Sequence, residues 1–299
     1  MSEFREPEQI AVPVRGGDLA VLRWRADAAD APVVVLVHGI TGNGLVWARV
    51  ASALAGEHTV LAPDLRGRAA SADLPGPYGL AGHAEDVGAL FDAAGVRRAV
   101  LAGHSMGAFV VALAAAGGAR GRVRGLVLVD GGLPFPDPPG ADVDAKLAAL
   151  LGSTLDRLST TFPDLPAVRA FWARHPTVGP WVDVPSVAAF LARDVVRAEG
   201  GLRSACVPEA IRVDGGDFLL NERVHEATAA LPVPATLLWA PRGMQDEPPG
   251  VYGAGRLSRL GLDRSGIDAR VVPDCNHDSI LWAEQGIAAV TDAVRAVPG

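Results

Sequence analysis

The chain has 299 residues, 49% of them hydrophobic and 20% charged, enough to bury a large core in one α/β domain with an insertion or in two smaller domains. Its formal net charge of −7 argues against nucleic acid or an anionic membrane surface as the main partner. Cys206 and Cys275 are the only cysteines and lack metal-ligand spacing, so a disulfide framework is not expected and a reducing compartment fits.

Met1 to Glu8 carries no apolar run of the kind a secretory leader needs, and nothing later reaches transmembrane length, so a cytoplasmic location is expected. Ile10 to Val14 and Leu19 to Trp24, separated by Arg15-Gly16-Gly17-Asp18, predict an opening β-hairpin. Val33 to Val37 is a continuous β-branched apolar run, the pattern of a strand buried on both faces. It ends in His38-Gly39-Ile40-Thr41-Gly42, and a helix is predicted from about Leu45 to Ala55. Thr59 to Ala62 predicts a second buried strand, followed by Pro63-Asp64-Leu65-Arg66-Gly67 and a helix near 81–94.

Arg98 to Ala102 is the next strand and Met106 to Ala116 the next helix, with Gly103-His104-Ser105-Met106-Gly107 between them. A serine on so tight a turn needs strained backbone angles, and side chains at the flanking glycines would clash with the neighbouring strand and helix. The turn lifts the Ser105 hydroxyl into the open and leaves the Met106 N–H at a helix start. Those are a nucleophile and half of an oxyanion hole. Gly125 to Val129 adds a strand ending at Asp130. His38, Ser105 and Asp130 all fall at strand carboxyl ends, the edge where parallel sheets bind ligands.

From about Leu133 to Arg223 no buried strand is predicted, only helices at 143–158, 167–174 and 187–197. The alternation then resumes with a helix near 222–230, a strand at 235–240, a helix near 255–261, a strand at 268–272 and a last helix at 279–297. The predicted architecture is a mostly parallel central sheet with helices on both faces. Residues 1–132 and 224–299 form its core, and 133–223 a helical cap. The aromatics Trp172, Trp181, Phe135, Phe162, Phe171, Phe190 and Phe218 are expected mainly to fill the cap, with one or two lining an apolar pocket over Ser105.

The ordered set His38-Gly39, Pro63-Asp64-Leu65-Arg66-Gly67, Gly103-His104-Ser105-Met106-Gly107 and Asn276-His277 resembles the α/β-hydrolase superfamily with a cap domain, over essentially the whole chain. The resemblance implies Ser105 as nucleophile, His277 as base, and backbone N–H groups of Ile40 and Met106 as oxyanion donors. It also implies an acid, for which the sequence departs from the common pattern. Gly243 stands where the family usually places an aspartate. Asp130 and Asp246 are the two candidates, with Asp130 favoured because the usual site lacks a carboxylate. His38 is expected to shape its loop, and Asp64 and Arg66 to organise a loop through an ion pair and N–H contacts.

The activity implied is cofactor-independent serine hydrolysis of a carboxylic ester or lactone of a mid-sized apolar or aromatic substrate. Two alternatives stand beside it: hydrolysis of a carbon–carbon bond in a β-diketone or ring-fission product, and a small-molecule receptor that kept the fold. No cofactor and no metal are expected, and a homodimer stays open. The expected partner is the small-molecule substrate.

Overall fold

The computed structural model describes residues 4–134, 141–260 and 266–298. Its centre is an eight-stranded sheet in the order β1-β2-β4-β3-β5-β6-β9-β10. β1 (Glu8–Val14) and β2 (Gly17–Trp24) form the predicted hairpin, and β2 pairs antiparallel with β4 (Thr59–Pro63). From β4 onward the pairing is parallel, through β3 (Val33–Val37), β5 (Ala99–His104), β6 (Val123–Val129), β9 (Ala235–Trp239) and β10 (Ile267–Val271). This is the expected mostly parallel sheet with helices on both faces.

The apolar runs are continuous because side chains of alternate strand residues serve two separate cores. Val35, Val37 and Leu101 face the core shared with Val87, Leu90 and Phe91 of α2 (Leu80–Ala93) and Phe109 and Val110 of α3 (Met106–Ala116). Val34, Leu36, Val100 and Ala102 face the opposite core, with Val50 and Leu54 of α1 (Ala48–Leu54) and Val290 and Val294 of α11 (Glu284–Arg295). Each such fully buried Val or Leu contributes roughly 1.5–3 kcal/mol of transfer free energy. Two predicted helices begin later than expected, since a single tighter turn precedes each: Gly44–Trp47 before α1 and Ser279–Leu281 before α11.

Between β6 and β9 the chain carries α4 (Val143–Leu151), α5 (Asp156–Ser159), α6 (Leu165–Trp172), α7 (Pro185–Arg193), α8 (Pro208–Leu220) and α9 (Glu222–Ala229), and α10 (Ala254–Arg259) lies between β9 and β10. The helix predicted to run to Arg197 stops at Arg193. A two-stranded antiparallel hairpin follows, β7 (Val195–Ala198) and β8 (Gly201–Ser204), turning at Gly200 and Gly201 with φ of +80° and +146°. The interruption between Leu151 and Asp156 also divides the helix predicted over 143–158.

Asp214 of α8 ties this segment to the start of α2 and to the loop after β4. Its Oδ1 accepts from the Gly79 N–H at 2.7 Å, and its Oδ2 lies 2.8 Å from His83 Nε2 and 2.5 Å from Arg68 Nη1. All three side chains of the cluster are buried. Burial alone would raise the Asp214 pKa, but Arg68 and His83 outweigh it and hold the carboxyl down at about 2. Asp64 and Arg66 each make a separate ion pair. Asp64 meets Arg193 of α7 and accepts from the Gly44 and Ala70 N–H groups, whereas Arg66 forks onto Asp86 at 2.8 and 3.0 Å.

Candidate active site

β5 is buried along its whole length and stops at Ser105, which adopts φ 55° and ψ −123°. For a residue with a side chain that conformation costs about 1–3 kcal/mol, and the surroundings enforce it. A Cβ at Gly103 would collide with the Gly107 carbonyl, and one at Gly107 would lie 2.6 Å from the His38 carbonyl oxygen. Gly131 has the same constraint, since a Cβ there would lie 2.6 Å from Ser105 Cα. Three strands and one helix therefore close on Ser105 at backbone distance. Substituting Gly107 with alanine is expected to cost about 3 kcal/mol by overpacking, lowering Tm by roughly 5–10 °C in a thermal melt. An unchanged Tm would mean that the turn is not so confined.

Met106 opens α3, so its N–H has no intrahelical carbonyl to meet. The Ile40 N–H belongs to the loop after β3, which is tied down carbonyl by carbonyl. His38 Nδ1–H donates to Gly39 O at 2.7 Å, Arg68 Nε to Ile40 O at 2.9 Å, and Arg157 Nη2 to Thr41 O at 2.6 Å. His38 Nε2 accepts from the Leu65 N–H at 2.9 Å, which fixes its tautomer as neutral. Burial accordingly drives its pKa down to about 3. That is the loop-shaping role expected of His38. Arg68 and Arg157 were not singled out in the sequence, although Arg68 lies just beyond the Asp64-Leu65-Arg66-Gly67 stretch.

His277 lies past β10 in a loop whose turn is built by Asn276. The Asn276 Oδ1 accepts from the N–H groups of Asp278 and Ser279 at 3.2 and 2.8 Å, and its own N–H meets Ser279 Oγ at 2.9 Å. His277 Nδ1 is 2.7 Å from Asp130 Oδ2, both side chains being buried, while Asp130 Oδ1 accepts from the Ala240 N–H at 3.1 Å. Nδ1–H is therefore the donor to the carboxylate, and Nε2 is the nitrogen left to take a proton. His104 Nε2 donates to the His277 carbonyl at 2.8 Å. Burial first, then the nearby His277, lowers the His104 pKa to about 3.

The structure thus puts the imidazole on Asp130 and not on Asp246. Asp246 Oδ1 instead accepts from Arg242 Nε and Asn276 Nδ2, each at 2.8 Å, which secures the loop carrying His277. Asp130, Ser105, His277, Ile40 and Met106 all line one small cavity, together with Phe218. A second cavity of about 70 Å³ shares Ser105, Ile40 and His277 and is roofed by the β6–β9 segment. Of the aromatics singled out in the sequence, Trp172 and Phe190 line it; Trp282, from the turn before α11, joins them. Phe162 and Phe171 pack edge to face at 5.5 Å and Trp181 packs on Trp282. Phe135 lies outside the described residues.

Burial penalises the charged form of His277, but the hydrogen bond and charge of Asp130, with Asp278 adding, overcome that and raise its pKa above the ordinary 6.5. A neutral imidazole is needed to accept a proton, so kcat/KM is expected to fall as pH drops through a midpoint above 6.5. Asp130→Asn should move that limb to lower pH. A wild-type acid limb below pH 6 would contradict the geometry. The stability linkage has the opposite sense: the pair's contribution is complete below about pH 6.5 and is lost as pH rises through the raised folded value.

Comparison with known proteins agrees with this architecture. A family model described as the alpha/beta hydrolase fold matches residues 32–221. A protein of Pseudomonas savastanoi pv. phaseolicola named for carbamate hydrolysis, RutD, is 38% identical over 87 residues, 29% of this chain and 34% of its own length. The matched stretch spans about a third or less of the curated relatives we cite, 24% in a Mycobacterium bovis protein of uncharacterised role. Among solved structures, a thioesterase domain from the curacin biosynthetic pathway superposes with a TM-score of 0.75 at 21% identity, covering 98% of this chain and 100% of its own. An E-2-(acetamidomethylene)succinate hydrolase also gives 0.75, at 23% identity, covering 97% and 100%.

Proposed function

From the premise that the chain belongs to the alpha/beta hydrolase fold family, we propose that it is a cofactor-independent serine hydrolase cleaving a carboxylic ester or lactone through an acyl-enzyme. Ser105 Oγ attacks the carbonyl carbon while His277 Nε2 takes its proton. The oxyanion that forms is met by the N–H groups of Ile40 and Met106, typically worth ~3–4 kcal/mol each in the transition state. The imidazolium, held by Asp130, then returns the proton to the departing alkoxide. Water attacks the acyl-enzyme along the same path, giving up its proton to His277 and releasing the acid and Ser105.

The observation that carries this reading is the convergence of all five groups on one cavity, with His277 Nδ1 already 2.7 Å from a buried carboxylate. The names of the relatives, hydrolase and thioesterase, are consistent with acyl transfer to water. Residues 133–223 act in this reading as a cap over a core of 1–132 and 224–299. Its cavity of about 70 Å³ suits a short acyl group better than the mid-sized aromatic one expected from sequence. Both cysteines are free, which supports a reading as a cytoplasmic enzyme, and among the described residues no helix is long and apolar enough to cross a membrane.

Stopped-flow hydrolysis of short-chain p-nitrophenyl esters tests the proposal. A burst of nitrophenolate close to one per chain, followed by steady turnover, is expected. Turnover of a β-diketone panel with no ester or lactone hydrolysis would replace this reading with carbon–carbon bond cleavage.

A further inference from the structure

Arg157 of α5 is 2% exposed and lines the same cavity as Ser105 and His277. Its guanidinium is held through both terminal nitrogens. Nη1 donates to Ser204 Oγ at 2.9 Å and stands 3.2 Å from Asp194 Oδ2, Nη2 donates to Thr41 O at 2.6 Å, and both reach Cys206 Sγ at 4.0 Å. The guanidinium carbon lies 5.3 Å from the centre of the Trp172 ring, another wall of the cavity. The remaining donor, Nε–H, is buried and has no acceptor. Of the buried side-chain donors without an acceptor among the described residues, it alone belongs to a residue lining this cavity.

Unmet buried donors are rare in folded proteins, and each asks for a reason. Of the other polar side chains of the wall, His175, Thr154 and Asp278 are already engaged. His175 meets Thr154 Oγ1 through Nε2 at 3.2 Å and Thr177 Oγ1 through Nδ1 at 3.0 Å, and the Thr177 hydroxyl donates to Asp278. Around them the surface is apolar, from Leu151, Val178, Phe190 and Trp282. A largely apolar chamber whose wall includes a cation with one unmet N–H is suited to select an oxygen in a particular place. The pairing with Asp194 and Ser204 holds the guanidinium plane, and because Nε is closed to solvent as it stands, a ligand oxygen reaches it when the neighbouring side chains give way.

We propose that Arg157 Nε–H donates to an oxygen of the substrate's acyl group, remote from the carbonyl that Ser105 attacks. The preferred substrates are then esters of oxygenated short-chain acids, keto acids or half-esters of dicarboxylic acids, over purely apolar acyl groups of the same length. This inference rests on the hydrolase reading above, and names the substrate class of that site.

The test compares kcat/KM for p-nitrophenyl pentanoate, 4-oxopentanoate and hemisuccinate in the wild-type protein and in Arg157→Lys, which keeps a cation beside Asp194 and lacks Nε–H. Each protein's oxygenated-to-apolar ratio cancels losses common to all three esters. The wild-type ratio is expected to exceed about tenfold for at least one oxygenated ester, because a site with an unmet polar group rejects the analogue that leaves it unmet. It should fall towards one in the variant. Preference for the ketone or for the carboxylate identifies which oxygen is read. Wild-type ratios at or below one, or an unchanged ratio in folded Arg157→Lys, overturn the proposal. A thermal-shift comparison of free 4-oxopentanoate and succinate with pentanoate on the wild-type protein needs neither turnover nor the variant. A larger shift with an oxygenated acid supports the inference, and equal shifts refute it. Absence of all ester turnover would instead strike the hydrolase reading.

Discussion

Replacing Ser105 with alanine is expected to lower kcat for ester hydrolysis by on the order of 10⁶ while leaving the fold intact. Alanine keeps the Cβ and the same backbone demand at φ 55°, so the strained turn between β5 and α3 is neither relieved nor worsened. What disappears is the oxygen that bonds to the acyl carbon. His277 can still polarise a water and the two N–H groups can still meet an oxyanion, so a small residual rate is expected. Circular dichroism and Tm matching the wild type, alongside the lost rate, would assign the loss to chemistry. A variant with a tenth or more of wild-type kcat would show that another group attacks the substrate.

Asp130→Asn should reduce kcat by about 10⁴-fold, and Asp246→Asn by less than about tenfold. The distinction comes from what each carboxylate touches. In the variant, an asparagine oxygen placed to accept from the Ala240 N–H puts its NH₂ group toward His277 Nδ1. That nitrogen must then become an acceptor, which moves the ring proton to Nε2, the side from which Ser105 needs to be deprotonated. Geometry survives and the tautomer is wrong. The Asp246 carboxylate accepts from Arg242 and Asn276, so its substitution loosens the loop without touching the imidazole. Steady-state kinetics on both variants would check this ordering, and equal losses would contradict it.

The sheet and the turn at Ser105 were legible because their signals are local. An apolar β-branched run is a buried strand wherever it falls, and a serine framed by Gly103 and Gly107 between strand and helix admits few backbones. Asp130 could be preferred because Gly243 left the customary place empty, yet only coordinates could bring it to within 2.7 Å of a ring 147 residues later. The hairpin of β7 and β8 was hidden because its strands are half exposed and show no strict alternation, although Gly200-Gly201 marked the turn. α8 escaped notice because Gly215 and Gly216 weaken its helical pattern. Gly215 is there for packing, since a Cβ would stand 2.6 Å from Leu147 Cδ2 of α4.

The charged groups around the site were the least legible. Arg157 meets Thr41 across 116 residues, and Asp214 meets His83 across 131. Nothing in the neighbouring sequence of either residue marks it out. Such pairs are set by how the β6–β9 segment folds back, so their partners emerge only with the tertiary structure. An unpaired arginine or aspartate in a helical stretch is ordinarily read as surface charge. Here Arg157 is a buried support of the loop beside Ser105, and Asp214 is the buried partner of Arg68, which holds that loop at the Ile40 carbonyl.

Labelling with a fluorophosphonate probe, read by intact mass and peptide mapping, goes to the heart of this account, because phosphonylation requires a serine oxygen activated by its imidazole. One adduct per chain, mapped to Ser105 and lost in both Ser105→Ala and His277→Ala, is the predicted result. A folded wild-type protein that takes no label, or one labelled elsewhere with undiminished ester turnover, would contradict it.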